Sequence, residues 1–273
     1  MVKSILLSEY NEIAHFCTSR QGGASVGNYA SFNLSPFSGD QPVHLEENQR
    51  VLCQKLGIDS EKLIIPYQTH GTEIRVIDKT FFLLSASEKT QYLHGVDALI
   101  TKLPRVCIGV TTADCVPLIF FDTHKKVVAV AHAGWRGTCC RIAEKTVRVM
   151  VEQLECKVDD ILVTVGPSIS VDVYNVGSEL VETFQNEGFD TDEIFVEKGE
   201  KLHLDLCKAN RQSLLKAGIL PQHIEIAGIC TYTKHDQFFS ARRLGIKSGR
   251  MLSGVMLAPK SPKGDLKNDL LIS

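Results

Sequence analysis

The chain has 273 residues, of which 44% are hydrophobic and 23% charged, and its formal net charge is −2. This composition predicts a globular protein, and so small a charge gives no reason to expect binding to nucleic acid or to an anionic membrane surface. No apolar run approaches the roughly 18 residues of a membrane span, and the first residues lack an export signal. We therefore expect a cytoplasmic protein whose nine scattered cysteines are reduced.

The first half of the chain alternates between predicted strands and one helix. A Gly/Ser/Asn-rich loop follows the first strand, and its length is typical of a functional segment. The tight segment THG separates two further strands. In chain order, the predicted elements are a strand at 13–19, a helix at 44–57 that ends at Gly57, and strands at 63–68, 73–78, 97–101 and 107–112.

The second half continues the pattern and predicts one mixed-sheet α/β domain over residues 1–258, with a loose tail at 259–273. Its predicted elements are a hairpin within 111–137, a helix from Thr138 to about Leu154, a strand at 161–166, helices at 176–188 and 204–218, and strands at 224–230 and 250–257.

The hairpin TTADCVPLIFFDTHKKVVAVAHAGWRG places a thiol and an imidazole at its two open ends. If its turn is centred between Thr123 and His124, Cys115 and His132 lie opposite each other, with Cβ atoms roughly 4.5–5.5 Å apart. That separation suits a shared metal ion or a thiolate–imidazolium pair. A slip of one residue would place them on opposite faces. Taken alone, the pair could equally be a buried cysteine and a strand-end histidine.

The segment AHAGWRG adds a second indication of function after His132. Its glycines allow a close approach of the backbone, and a helix that begins near Thr138 favours an anion at its N-terminus. Arg136 has a guanidinium suited to phosphate or carboxylate, although a solvated arginine in a connecting turn is the alternative. His70, in the turn THG, is a third candidate ligand that periodicity alone does not distinguish from the other histidines.

Eight segments occur in an order that resembles one family: TSRQGG, SFNLS, QTHG, VDALIT, TADCVPL, AVAHAGWRG, VGP and FFSARR…SGRM. Together they resemble the laccase-domain family, the polyphenol-oxidase-like proteins described as purine nucleoside phosphorylases. The resemblance implies α/β/β/α layers similar to the catalytic domain of cytotoxic necrotizing factor. It implies one zinc ion held by His70, Cys115 and His132. It also implies phosphorolysis of adenosine, inosine and S-methyl-5′-thioadenosine, together with deamination of adenosine.

One segment departs from the family pattern. Many members have a cysteine-containing GPxIGPCCYEVG where this chain has GPSISVDVYNVG at 166–177, so we place no ligand or nucleophile there. Tyr174 and Gly177 do match. We expect this segment to shape the fold or the pocket without contacting the metal.

Three protein ligands leave a fourth tetrahedral position open, as in catalytic zinc sites, and zinc deaminases use such a centre against C6 of adenine. Asp114 is the candidate for general acid or base, provided that the strand begins after it. Phosphorolysis also needs a phosphate site, for which arginines are suited. The candidates for contact with phosphate or nucleoside are Arg20, Arg136, Arg242, Arg243 and Asn33, each of which has a structural role as its alternative.

Three alternatives to the zinc enzyme remain open. Copper could occupy the same ligands and give incidental phenol oxidation, although the chain has no H-x-H motif of a multicopper cluster. A metal-free hydrolase or amidase would use Cys115 as nucleophile and His132 as base, for example in editing a peptidoglycan precursor, and would not need His70. A non-catalytic metal-binding or partner-binding protein would have no open coordination position.

Overall fold

Two β-sheets lie face to face at the centre of the protein, and the computed structural model describes residues 1–258. The strands are β1 Ile13–Cys17, β2 Leu63–Ile64, β3 Glu73–Ile77, β4 Val96–Thr101, β5 Cys107–Thr112, β6 Val116–Asp122, β7 Val127–Ala133, β8 Ile161–Val165, β9 Asn175–Val176, β10 Phe195–Lys198, β11 Lys201–Leu204, β12 Ile224–Ile226 and β13 Met251–Leu257.

Short helices and four longer ones connect these strands. The α-helices are α1 Ile5–Ser8, α2 Pro42–Leu56, α3 Ala86–Tyr92, α4 Trp135–Cys139, α5 Ile142–Leu154, α6 Glu179–Asn186, α7 Thr191–Ile194, α8 Leu206–Lys216 and α9 Ala241–Leu244. Single 3₁₀ turns span Gly27–Tyr29, Ser60–Lys62, Thr80–Leu83, Val158–Asp160 and Pro221–His223. Within residues 1–258, no helix is long and apolar enough to cross a membrane.

The larger sheet has six strands in the order β12-β8-β6-β7-β4-β3, and the second has four in the order β1-β13-β5-β2. Both contain parallel and antiparallel pairs, as predicted for a mixed α/β fold. A separate three-stranded sheet, β10-β11-β9, lies outside these two. Sequence patterning did not predict its strands, which are short and only partly buried.

Alternation along the central strands builds the layers. On β7, Val128 and Val130 pack between the two sheets with Ile108 of β5, whereas Ala129 and Ala131 face the opposite side with α5. The outer face of the four-stranded sheet packs against α2. The order of layers is therefore helix, sheet, sheet, helix, which confirms the expected α/β/β/α arrangement.

The hairpin of β6 and β7 has a register different from the predicted one. Pro117, and not Cys115, lies opposite His132. The turn comprises residues 123–126 and is closed by the carboxylate of Asp122, which accepts hydrogen bonds from the N–H groups of His124 and Lys125. Because the shift is an even number of residues, His132 keeps its predicted face and Cys115, just before β6, stays beside it.

Several predicted helix and strand boundaries were wrong, each for a physical reason. The helix predicted from Thr138 begins at Trp135 and is broken at Arg141, which has a left-handed φ of 60° and donates from Nε to the carbonyl of Glu187 at 3.0 Å. The strand predicted at 63–68 ends at Ile64, shortly before a proline that lacks an N–H donor.

Pairing with β11 places Val176, the first residue of the helix predicted at 176–188, in a strand, and the helix begins at Glu179. The helix predicted at 204–218 begins at Leu206, and the strand predicted at 224–230 ends at Ile226. The predicted tail at 259–273 lies outside the described residues.

The Gly/Ser/Asn-rich loop after β1 is held by one buried amide on α2. Asn48 is fully buried, and its Nδ2 donates to Ser25 Oγ at 2.9 Å and to the carbonyls of Ser31 at 3.2 Å and Asn33 at 2.9 Å. Its Oδ1 accepts a hydrogen bond from Ala24 N–H at 2.8 Å. This single side chain therefore connects the loop to the helix layer.

Replacement of Asn48 by alanine should lower the free energy of unfolding by about 2–3 kcal/mol, because it leaves buried carbonyl and N–H groups without partners. Urea denaturation followed by circular dichroism measures the change. The matched control is Glu46→Ala at an exposed position on the same helix, which should stay within about 0.5 kcal/mol of the parent. Equal midpoints for the two variants would contradict the assigned role of Asn48.

Candidate metal centre

The structure brings together the three residues predicted as metal ligands. One ligand atom from each of His70, Cys115 and His132 lies within 4.8 Å of the others, and no other such group of three is found within residues 1–258. His70 lies in the turn before β3, Cys115 directly before β6, and His132 near the end of β7. The imidazole rings of the two histidines have centroids 4.8 Å apart and cross at 77°.

The ligand group is closed on one side and open on the other. His132 is only 3% exposed, Cys115 is partly buried and His70 is exposed. Solvent or a small molecule therefore has access from the side of His70. A closed structural zinc site would have four protein ligands, whereas this group has three and an accessible side, which is the pattern of a catalytic site.

The carboxylate of Asp97 joins the two histidine ligands. It is fully buried on β4, and its oxygens accept hydrogen bonds from the N–H groups of Thr69, His70 and Gly71 at 3.2, 3.1 and 2.7 Å. Oδ1 also lies 2.7 Å from Nδ1 of His132. Since a carboxylate only accepts, His132 donates from Nδ1, and Nε2 is left to face the ligand group, as a donor while the ring is protonated and as a lone pair if a metal replaces that proton.

The same carboxylate stabilises an unusual backbone at His70. This residue has a left-handed φ of 62°, which is costly for a residue with a side chain. The three N–H groups that donate to Asp97 surround this position and hold the turn. The pKa of Asp97 is lowered: burial acts to raise it, but its bonds to His132 and to the backbone outweigh the burial.

Cys115 and His132 each stabilise the charged form of the other side chain. Burial alone would raise the pKa of Cys115, but the charge of His132 and hydrogen bonds with both histidines lower it to about 6. Burial would likewise lower the pKa of His132, but Cys115 and Asp97 raise it to about 9. A thiolate is thus present near neutral pH, and it is the form of cysteine that binds a metal or acts as a nucleophile.

The glycines of AHAGWRG make room for this group, as their positions in the sequence indicated. A Cβ atom on Gly134 would lie 3.0 Å from Cδ2 of His70 and 3.1 Å from Sγ of Cys115. A Cβ atom on Gly137 would lie 3.1 Å from the carbonyl oxygen of Gly71, so α4 packs directly on the turn that carries His70. Larger residues would displace the ligands or the turn.

Asp114 lies before β6, as its predicted role required, but its carboxylate is occupied. Oδ1 accepts from Thr231 Oγ1 at 2.7 Å, and Oδ2 accepts from Ser240 Oγ at 3.0 Å and from the N–H of Arg242 at 2.7 Å. The residue is 8% exposed and has a left-handed φ of 86°. These contacts attach the segment that contains Arg242 to the residue next to Cys115.

The predicted phosphate arginines differ in their surroundings. Arg136 and Arg242 are exposed, and their guanidinium groups lie over the rings of Trp135 at 4.3 Å and Tyr174 at 5.1 Å. Nη1 of Arg242 also donates to Oδ1 of Asn175 at 2.9 Å. Arg243 is exposed as well and lies over the ring of Tyr232 at 5.3 Å.

Arg20 and Asn33 are instead occupied by internal contacts. Arg20 donates to the carbonyls of Ala30 at 2.9 Å and His235 at 2.7 Å, which connects two loops. Asn33 is fully buried; its Nδ2 donates to the side chains of Ser38 and Asp40, and its Oδ1 accepts from the N–H of Arg250. Both residues therefore stabilise the loops around the site in this structure.

The family described as multi-copper polyphenol oxidoreductase laccase has a sequence model that matches residues 14–258. The chain belongs to this family. A purine nucleoside phosphorylase of Bacteroides thetaiotaomicron is 46% identical over 253 residues, which cover 92% of this chain and 94% of that protein. The adenosine deaminase RL5, from an unknown prokaryotic organism, is 41% identical over 242 residues, covering 88% of this chain and 92% of the relative. These comparisons confirm the family that the sequence motifs indicated.

A solved structure of the same family has the same fold. The crystal structure of YlmD from Geobacillus stearothermophilus superposes with a TM-score of 0.85 at 31% identity, and the match covers 91% of this chain and 93% of that one. The family name refers to several copper ions. The residues described in this chain offer a single group of three ligands.

Three residues at the site were not predicted as functional. Burial first, and then the negative charges of Cys115 and Asp114, raise the pKa of Tyr174 to about 12 against the effects of Arg242 and Arg136, so its phenol lies among these groups. Burial lowers the pKa of Arg250, opposed by the charges of Cys115 and Asp114. Asp97 had a detectable signal, since a carboxylate inside the buried strand VDALIT requires partners.

Replacement of Gly134 by alanine should reduce zinc binding while leaving the fold intact. The new Cβ would press on His70 and Cys115, whereas the φ of −70° at this position suits alanine. Atomic emission after dialysis against zinc measures the metal content. The matched control is Gly71→Ala, whose Cβ would have an ordinary contact of 3.5 Å with Asp97 and which should keep its zinc. Full zinc in both variants would contradict the proposed geometry.

Replacement of Asp97 by asparagine should weaken zinc affinity by about 10- to 100-fold, as is typical when a carboxylate that orients a ligand is removed. The amide group cannot accept all four hydrogen bonds. Competition with a chromogenic chelator measures the affinity. Asp122→Asn serves as the control, because Asp122 is also fully buried and holds backbone N–H groups, but in the distant hairpin turn. Equal losses in both variants would indicate destabilisation of the fold alone.

Proposed function

We propose that this protein is a zinc-dependent enzyme of purine nucleosides. Its reactions would be phosphorolysis of adenosine, inosine and S-methyl-5′-thioadenosine, and deamination of adenosine. The observation that carries the proposal is the open group of His70, Cys115 and His132. The names of two relatives, a purine nucleoside phosphorylase and an adenosine deaminase, support the same two reactions.

The donor set fits zinc. One thiolate and two imidazoles are ligands that zinc prefers, and the space that Gly134 leaves beside Cys115 and His70 would be filled by a Cβ atom. Zinc bound there would supply a Lewis acid. Copper(II) binds most nitrogen and sulfur sites more tightly, so we assign any phenol oxidation by a copper-loaded sample to this substitution.

Residues of the chain would supply the remaining functions. We propose that Arg136 and Arg242, with Arg243 beside them, bind phosphate through their exposed guanidinium groups. Tyr174 lies under the guanidinium of Arg242, and we propose that its phenol donates to an oxygen of the substrate. Arg20 and Asn33, predicted to contact substrate, would act by holding the loops around the pocket.

The prediction that Asp114 transfers a proton stays a prediction. Its three hydrogen bonds support a positioning role, in which the carboxylate holds the backbone of Arg242 near Cys115. An Asp114→Asn enzyme with full activity would exclude both roles.

A metal-free amidase is the second candidate, and one observation favours it. Asp97, His132 and Cys115 form a chain in which a carboxylate orients an imidazole that contacts a thiolate, as in cysteine hydrolases. In that reaction Cys115 would attack an amide carbonyl, and His132 would give its proton to the leaving amine. His70 would have no part in it.

The deciding experiment incubates zinc-loaded protein with adenosine, with and without phosphate, and separates the products by chromatography. Adenine and ribose 1-phosphate should form only with phosphate, and inosine should form without it. Cys115→Ala should reduce both by at least about 100-fold, because the ligand group loses its thiolate.

His70→Ala distinguishes the two candidates. Loss of zinc and of nucleoside turnover together supports the metal enzyme. Retained hydrolysis of an amide substrate by this variant, with no turnover of nucleosides by the parent protein, would favour the cysteine amidase instead.

A further inference from the structure

Three aromatic rings form an exposed cluster near the metal centre, which we call the aromatic shelf: Phe37, Tyr67 and His94. The rings of Tyr67 and His94 are stacked, with centroids 4.9 Å apart and planes at 19°, and the ring of Phe37 meets Tyr67 edge-on at 4.8 Å and 87°. Phe37 is 51% and Tyr67 40% exposed, and His94 is exposed as well. Rings in such contact usually lie in a core, whereas these are open to solvent.

The shelf is attached to the segment that carries His70. The N–H of Tyr67 donates to the carbonyl of Leu93 at 3.0 Å, and the N–H of Gly95 donates to the carbonyl of Tyr67 at 2.8 Å. Residues 67–71 therefore run beside residues 93–97, where Asp97 holds the turn. His70 is three positions after Tyr67, so their Cα atoms are at most about 11 Å apart.

Gln68, one of the two residues between Tyr67 and His70, is fixed as well. Gln68 accepts from the N–H of Thr111 at 2.8 Å and donates to its carbonyl at 2.9 Å, so the side chain is bound to β5 at both ends. This anchor and the contacts of Asp97 hold the segment from Tyr67 to Gly71 at both ends. The shelf is thus rigid relative to the ligand group.

Phe37 joins the shelf from a different loop, the one that follows β1. Its loop is held by Asn33, whose Oδ1 accepts from the N–H groups of Ser35 at 3.2 Å and Arg250 at 2.9 Å. Arg250 lies directly before β13. The loop that carries Phe37 is therefore fixed to the four-stranded sheet through this residue.

We infer that the aromatic shelf binds the purine base of the nucleoside by stacking, while the ribose extends from it toward His70. This inference rests on the proposed function. Small-molecule sites combine aromatic walls with a few polar groups, and the shelf supplies such a wall beside the otherwise polar ligand group. Phe37 and His94 offer the outer surfaces, and Tyr67 holds both rings in place.

Stacking has a consequence for specificity. A ring surface contacts the π-face of a base and does not distinguish the amino group at C6 of adenine from the oxygen at C6 of hypoxanthine. One shelf can therefore accept both adenosine and inosine. Removal of the shelf should weaken the binding of adenosine and of inosine by the same factor. Removal of a residue that hydrogen-bonds the base would weaken the binding of one nucleoside more than that of the other.

The test uses zinc-loaded full-length protein and the variants Tyr67→Ala, Phe37→Ala and His94→Ala. KM for adenosine and inosine, and the Kd of inosine by calorimetry without phosphate, where the proposed reactions do not consume it, are measured for each variant. We expect Tyr67→Ala to raise the two KM values and the Kd by about tenfold or more, with kcat within twofold of the parent. Tyr67→Phe should restore the parent values. Leu83→Ala is the control, since Leu83 is 86% exposed and makes no part of the shelf.

Each outcome bears on the inference. An unchanged KM and Kd in all three shelf variants would overturn the shelf while leaving the proposed function intact. If the parent protein binds a nucleoside without turning it over, and the shelf variants weaken that binding, the shelf is supported and the proposed function is rejected. If the zinc-loaded parent protein binds no nucleoside, the shelf and the proposed function are both overturned. A larger effect on one nucleoside than on the other would contradict stacking.

Discussion

The hydrogen bonds accepted by one buried carboxylate hold the candidate metal centre together. Asp97 lies on β4 between β3 and β7, so it reaches the turn that precedes one neighbour and the imidazole at the end of the other. A buried carboxylate without partners would be costly, and here four donors compensate it. The strained backbone of His70, the tautomer of His132 and their mutual distance all depend on this group.

The layered fold explains why such a site can open to solvent. The two sheets bury the apolar faces of β6 and β7; Cys115 and His132 lie at the ends of these strands and His70 in the turn before β3, where the sheet gives way to turns. Gly134 and Gly137 keep this end free of side chains, so that α4 can pack on the turn of His70. Asn48, Asn33 and Arg20 hold the loop after β1 in place. The buried interior of the sheet and the accessible side of the ligand group are thus only a few residues apart along these strands.

The same arrangement serves two chemistries. A thiolate whose pKa is lowered by a histidine is both a soft metal ligand and a nucleophile, and Asp97 orients His132 for either purpose. His70 distinguishes the two, because an exposed third ligand contributes to a metal site and has no place in a cysteine–histidine pair. The aromatic shelf adds a surface for a planar group beside the metal ligands, which favours a substrate with a heterocyclic base.

The sequence by itself determined the family, the mixed α/β class and the main strands, and the motifs QTHG, TADC and AHAGWRG indicated the three candidate ligands through the family resemblance, because these patterns depend on neighbouring residues. Tertiary contacts decided the rest. The register of the hairpin follows from the hydrogen bonds of Asp122, and the break at Arg141 from its bond to a distant carbonyl. The roles of Asp97, Asp114 and Asn33 depend on hydrogen-bond partners that are far away in sequence. A local sequence pattern does not predict which donors will lie next to a buried side chain.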